Sequence, residues 1–149
     1  MEVEPETRDV SSTRRLRPAS GGVAITAVGF ALIGGGLAAW ATATLGISAI
    51  AFVVVALLVG LLLWSKPITT KAVAGGLYYT ALLLILVPVL FYVPNIVGPT
   101  PAGAEGAGMF IGSILGLFIW GFVFLVIALV VAGVGYLVNK RADRRLSGE

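Results

Sequence analysis

The stretch KPITTK, residues 66–71, decides how this chain is organised, because its two lysines interrupt a sequence with almost no charge. Between Arg17 and Lys140 the only other charged residue is Glu105. On insertion scales a lysine at the centre of a membrane-spanning helix costs about 2.5–3.5 kcal/mol. The stretch therefore predicts a water-exposed turn that separates two apolar halves of the chain.

Composition indicates an integral membrane protein. Of the 149 residues, 58% are apolar and 11% are charged, whereas soluble domains have about 25% charged residues. The net charge of +3 comes from short basic clusters beside apolar segments, so we expect no nucleic-acid partner. The chain has no cysteine and no histidine, which excludes disulfides, thiolate nucleophiles and His-ligated zinc or haem. We expect no metal site and no cofactor.

The apolar segments predict four membrane spans. The uncharged stretch 22–65 is about twice the length that one span of roughly 20 residues needs. Small polar residues at 41–48 indicate a turn within it. A loop rich in proline and glycine, residues 94–107, separates the third span from the fourth. The predicted spans are about 22–42, 47–65, 71–93 and 110–138.

The sequence predicts an all-α bundle of four transmembrane helices with both termini in the cytoplasm. Alternating spans place all ten lysines and arginines on one side, which the positive-inside rule identifies as cytoplasmic. Residues 1–21 are expected to form a disordered cytoplasmic tail, 22–139 the transmembrane domain and 140–149 a basic cytoplasmic tail. The predicted topology determinants are Arg14, Arg15, Arg17, Lys66, Lys71, Lys140, Arg141, Arg144 and Arg145.

Small residues recur every four positions on two of the predicted helices. Such residues let helix backbones approach closely in a membrane. The pattern predicts packing within one chain, with contact between two copies as the alternative. The helix-packing candidates are Ala31, Gly35 and Ala39 on the first helix and Gly108, Gly112 and Gly116 on the fourth.

Apart from Lys71, at the first position of the third span, the predicted spans contain no charged residue and no histidine or cysteine. Proton pumps, voltage sensors and aspartyl intramembrane proteases depend on such residues, so we expect a protein that is not an enzyme. The leading hypothesis is a structural or assembly subunit of a complex in the cell membrane, with the lipid bilayer and either a membrane protein or a second copy as partners. The alternative is a small transporter or channel component, with breaks at residues 34–36 or Pro88.

The acidic start, the absence of cysteine and histidine, and the helices rich in alanine, glycine and valine resemble the composition of uncharacterised small multi-pass membrane proteins of haloarchaea. The resemblance extends over the whole chain and involves no sequence motif. It implies a multi-pass membrane fold and assigns no activity, ligand or site residue.

Overall fold

The computed structural model describes residues 20–99 and 101–147. Four α-helices and no strand occur within these residues: α1 Gly21–Ala41, α2 Ser48–Trp64, α3 Thr69–Val97 and α4 Ala104–Ser147. The predicted all-α class is therefore confirmed for this part of the chain. Residues 1–19 of the predicted N-terminal tail lie outside the described residues.

Three of the helices, α1, α3 and α4, are long and apolar enough to cross a membrane. The helix α2 is also apolar but has 17 residues, which is the lower limit of the usual length of a span. The length and composition of the helices thus fit a membrane protein. A fourth span through α2 and the orientation of the termini stay predictions.

A tight turn joins α1 to α2. The hydroxyl of buried Thr42 donates to the carbonyl of Ala38 at 2.8 Å, which satisfies a polar group at the end of α1. A 3₁₀ turn, Ala43–Leu45, follows, and Gly46 adopts φ +70°, a left-handed conformation that glycine adopts without a steric cost. This short connection makes α1 and α2 antiparallel neighbours.

The helix α3 continues past the point at which the sequence predicted its end. Pro94 lies inside the helix, which runs on to Val97 instead of ending at residue 93. Proline removes one backbone donor, but the turn around it keeps its other bonds. The side-chain amide of Asn95 donates to the carbonyl of Phe91 at 3.4 Å, and the backbone N–H of Gly98 donates to the carbonyl of Pro94 at 2.9 Å.

The helix α4 extends beyond both ends of its predicted span. It begins at Ala104 instead of residue 110 and continues through Ser147, so residues 140–147 of the predicted basic tail are helical. Its 44 residues correspond to about 66 Å at 1.5 Å per residue. A hydrocarbon core of about 30 Å is much shorter. If α4 crosses a membrane, part of it must project from the bilayer.

The four helices form two antiparallel hairpins, α1–α2 and α3–α4, joined mainly through contacts between α1 and α3. The contact between α2 and α3 is small, and the main neighbour of α4 is α3. A small core lies where the first three helices meet. It contains Ala27, Val59 and Leu63, with Phe30 and Tyr79 packed against them. The fold therefore leaves α4 at the edge of the bundle.

Candidate functional site

The basic residues of the described part of the chain lie at one end of the bundle. The ammonium of Lys71, at the start of α3, lies 3.2 Å from a carboxylate oxygen of Asp143, near the end of α4. At the same end the first turns of α1 and α3 touch, because a Cβ on Gly22 would lie 2.7 Å from Oγ1 of Thr69. The start of α1, the turn before α3 and the end of α4 are therefore neighbours. We call this region the basic end.

The basic end contains most of the predicted topology determinants. Lys66 and Lys71 lie in or next to the α2–α3 turn, and Lys140, Arg141, Arg144 and Arg145 lie on the last turns of α4. Arg14, Arg15 and Arg17 lie outside the described residues. The Lys71–Asp143 pair is partly exposed, and such surface pairs contribute only about 0–1 kcal/mol. The pair therefore shows that the start of α3 and the end of α4 are close together, but it contributes little to stability.

Single-cysteine variants can test the predicted orientation of the basic end, because the chain has no cysteine of its own. We expect a cysteine at Ser147 to react with an impermeant thiol reagent only from the cytoplasmic side, and a cysteine at Thr100 only from outside. Reagent applied separately to intact cells and to inverted vesicles measures the two accessibilities. Labelling of the Thr100 variant from the cytoplasm would contradict the four-span topology.

The small residues predicted on α1 face the partner helix α2. Gly35 is buried, and a Cβ there would lie 3.0 Å from both the ring and the carbonyl oxygen of Phe52. Ala31 and Ala39 are partly buried. A Cβ on Gly60 would be 3.6 Å from the Cβ of Ala31. These contacts place the α1 stripe at a helix–helix interface within one chain.

The glycines predicted on α4 do not share one environment. Gly116 lies under the ring of Tyr92, which occupies the space that a Cβ would need. Gly108 and Gly112 are exposed, and a Cβ on either would meet nothing within 4 Å. Positions four residues apart diverge by about 40° around a helix of 3.6 residues per turn. Over eight residues the stripe therefore turns away from α3, and contact of Gly108 and Gly112 with a second chain stays a prediction.

Other glycines make close contacts that the sequence analysis did not select. Phe30 of α1 fills the position of a Cβ on Gly76. A Cβ on Gly75 would be 3.1 Å from Leu63, and one on Gly135 would be 3.2 Å from Leu77. The adjacent glycines 75 and 76 were a signal of close packing. Their partners, Leu63 of α2 and Phe30 of α1, could not be identified without knowing how α3 packs against these two helices.

Three threonine hydroxyls, two within helices and one at the end of α1, bond to the backbone of their own helix. Thr26, Thr42 and Thr80 each donate to a carbonyl four residues earlier, at 2.8–2.9 Å. Of two adjacent tyrosines in α3, Tyr79 packs against the small core, whereas Tyr78 is exposed. Residues 34–36 and Pro88 lie within continuous helices. The described helices thus show no break of the kind that lines a transport path.

An aromatic cluster joins three helices at the end of the bundle opposite the basic end. The ring of Trp40, in the last turn of α1, stacks on Phe91 of α3 and on Phe124 of α4, with centroids 6.1 and 6.4 Å apart. Trp120 contacts the same Phe124 at 6.5 Å. These contacts link α1 with α3 and α4, while Trp40 and Trp120 remain about half exposed.

The described residues contain no group of three or more acidic, histidine or cysteine side chains that could hold a metal ion. Comparisons of the chain with protein-family models, curated proteins and solved structures find no match.

Proposed function

We propose that this protein is a multi-pass protein of the cell membrane that acts by assembly, as a small structural subunit of a membrane complex. In this proposal all four helices cross the bilayer, and the basic end faces the cytoplasm. The face of α4 that points away from α3 is the assembly surface. Its partner is another membrane protein or a second copy of the chain.

The observation that supports this proposal is that α4 packs mainly on α3 and leaves most of its apolar residues exposed. In the most apolar 18-residue window of each helix, 28% of the residues of α1 and 17% of those of α3 are buried, against 6% for α4. Of the three helices that are long enough to cross a membrane, the longest therefore has the smallest share of fully buried residues in its apolar window. Gly108 and Gly112 on its open side would let a second helix approach closely.

Transport is the weaker candidate because a hydrated path needs polar groups that are free to face it. The hydroxyls of Thr26, Thr42 and Thr80 are bonded to their own helices. Transporters commonly bind substrate where a helix is interrupted, and α1 and α3 continue through their glycine and proline positions. These features favour assembly over solute movement.

Purification in mild detergent tests the proposal. We expect the protein to migrate as a stoichiometric complex, either with itself or with a co-purifying membrane protein, by size-exclusion chromatography with light scattering. Gly112→Ile should weaken that complex about tenfold, because a branched side chain prevents close helix approach. Gly29→Ile is the matched control, since Gly29 is an exposed glycine of α1 with nothing within 4 Å.

Two results would contradict assembly through α4. The first is a monomer without any stoichiometric partner. The second is a complex that Gly112→Ile and Gly29→Ile leave equally intact. A pure monomer that moves a solute into liposomes would support the transport alternative instead.

A further inference from the structure

The C-terminal half of α4 has one side that changes from apolar to basic along its length. The side that packs on α3 is marked by Gly135, which is buried and would place a Cβ 3.2 Å from Leu77. Helix geometry, at about 100° per residue, gives the residues that point within about 60° of the opposite direction. Exposed residues in this direction include Val126, Val130, Leu137, Lys140, Arg141 and Arg144. We call their surface the open face.

The apolar part of the open face is about as long as one leaflet of a bilayer. Leu137 lies 11 positions after Val126, which corresponds to about 16 Å at 1.5 Å per residue. Half of a hydrocarbon core of about 30 Å is about 15 Å. Lys140 follows within one helical turn of Leu137. An acyl chain along the apolar part would therefore have its headgroup at the level of Lys140 and Arg141.

The last turns of α4 hold these two basic residues away from α3. Ala142, seven residues after Gly135 and so on the same side of the helix, is completely buried. Asp143 pairs with Lys71 of α3 at 3.2 Å. Among the side chains that the structure describes, no carboxylate lies within ion-pair distance of Lys140 or Arg141. Two adjacent positive charges thus stand exposed at the end of an apolar surface.

We propose that Lys140 and Arg141 bind the phosphate of an anionic phospholipid, one acyl chain of which lies along the open face from Val126 to Leu137. Arginine and lysine both donate charge-assisted hydrogen bonds to phosphate oxygens. Basic residues next to a membrane-spanning helix attract anionic lipids. A free phosphate would match the two charges alone, whereas a lipid matches both the charges and the apolar surface that leads to them.

This proposal rests on the membrane location in the proposed function, but not on assembly. Gly112, which the assembly experiment changes, lies 28 positions before Lys140, about 42 Å along α4. Loss of lipid selectivity would therefore leave the assembly experiment unaffected, and failure of the Gly112 experiment would leave the lipid experiment unaffected.

Native mass spectrometry of the full chain in mild detergent tests the lipid site. The probes are phosphatidylglycerol and phosphatidylcholine with identical acyl chains, added in equal amounts. We expect one phosphatidylglycerol to be retained with about 25-fold preference, because each of the two charges contributes about fivefold. Equal retention of the two lipids would overturn the proposal.

Charge variants locate the headgroup. Lys140→Gln and Arg141→Gln should each lower the preference about fivefold, and the double variant should remove it. Lys140→Arg keeps the charge and should keep the preference. The matched control is Lys66→Gln, which removes one charge of the basic end from the α2–α3 turn and should leave the preference unchanged. Thermal unfolding should be the same for all these variants of Lys140 and Arg141, because both side chains are exposed.

Two further outcomes would contradict a specific lipid site. If Lys66→Gln lowers the preference as much as Lys140→Gln does, the selectivity is a property of the whole basic end. Glycerol 3-phosphate carries the phosphate without an acyl chain, so a large excess of it should leave the phosphatidylglycerol bound. Displacement by glycerol 3-phosphate would show a site for free anions instead of a lipid site.

Discussion

Replacing Gly35 by leucine is expected to lower the free energy of unfolding by about 1–3 kcal/mol, the usual cost of overpacking. A Cβ at this position would lie 3.0 Å from the backbone carbonyl oxygen of Phe52 as well as from its ring. The ring can turn aside, but the carbonyl is part of α2 and moves only with that helix. The added side chain therefore separates α1 from α2 and reduces the contact between them. Thermal unfolding of the purified protein in detergent measures the effect.

Gly36→Leu is the matched control for Gly35→Leu. Gly36 is the next residue of the same helix, is exposed, and has nothing within 4 Å of a Cβ. Both substitutions replace glycine by a good helix former, a gain of up to about 1 kcal/mol in each case. Their difference isolates the contact with Phe52. Equal stability of the two variants would mean that α1 and α2 do not pack through Gly35.

Gly116→Ile is expected to lower stability by about 1–2 kcal/mol, whereas Gly112→Ile should leave it nearly unchanged. The ring of Tyr92 occupies the space beside Gly116. An isoleucine would displace this ring from its edge-to-face contact with Phe91, in which the centroids are 5.1 Å apart. At Gly112 the same side chain meets no neighbour. Thermal unfolding in detergent again provides the measurement.

A double variant identifies the cause of the Gly116 effect. Tyr92→Ala removes the ring, so Gly116→Ile should cost less in that background than in the original chain, a coupling of the kind expected for residues in contact. If the two changes are additive, Tyr92 is not the neighbour that limits the size of residue 116. If Gly112→Ile is as destabilising as Gly116→Ile, α4 is rotated relative to α3.

The four-residue spacing of glycines on α4 predicts part of their environment but not their contacts. The spacing identifies residues that share approximately one side of a helix. It does not say which helix lies on that side, and the pattern rotates by about 80° from Gly108 to Gly116. The structure separates Gly116, under Tyr92, from the two open glycines. Only the position of α3 could distinguish them.

The helix ends were less predictable than the apolar segments. The loop predicted at 94–107 shortens to residues 98–103, because α3 continues through Pro94 and α4 begins at Ala104. Proline and glycine disfavour helix, but neighbouring bonds and packing can outweigh that preference. The basic segment at the end of α4 is helical for a related reason. Ala142 is completely buried there, and Asp143 contacts Lys71.

The sequence by itself determined the helical class, the long apolar segments and the central turn, because these depend on local composition and on the cost of placing charge in an apolar environment. Because the four helices form two consecutive antiparallel hairpins, the α2–α3 turn and the C-terminal end of α4 lie at the same end of the bundle. Only the tertiary structure decided which surfaces meet: Gly35 on Phe52, Gly116 under Tyr92, and α4 on α3 with its other side open. These choices depend on the rotation and crossing of helices that are apolar on all sides, and such helices carry no polar face in their sequence to specify which side is inward.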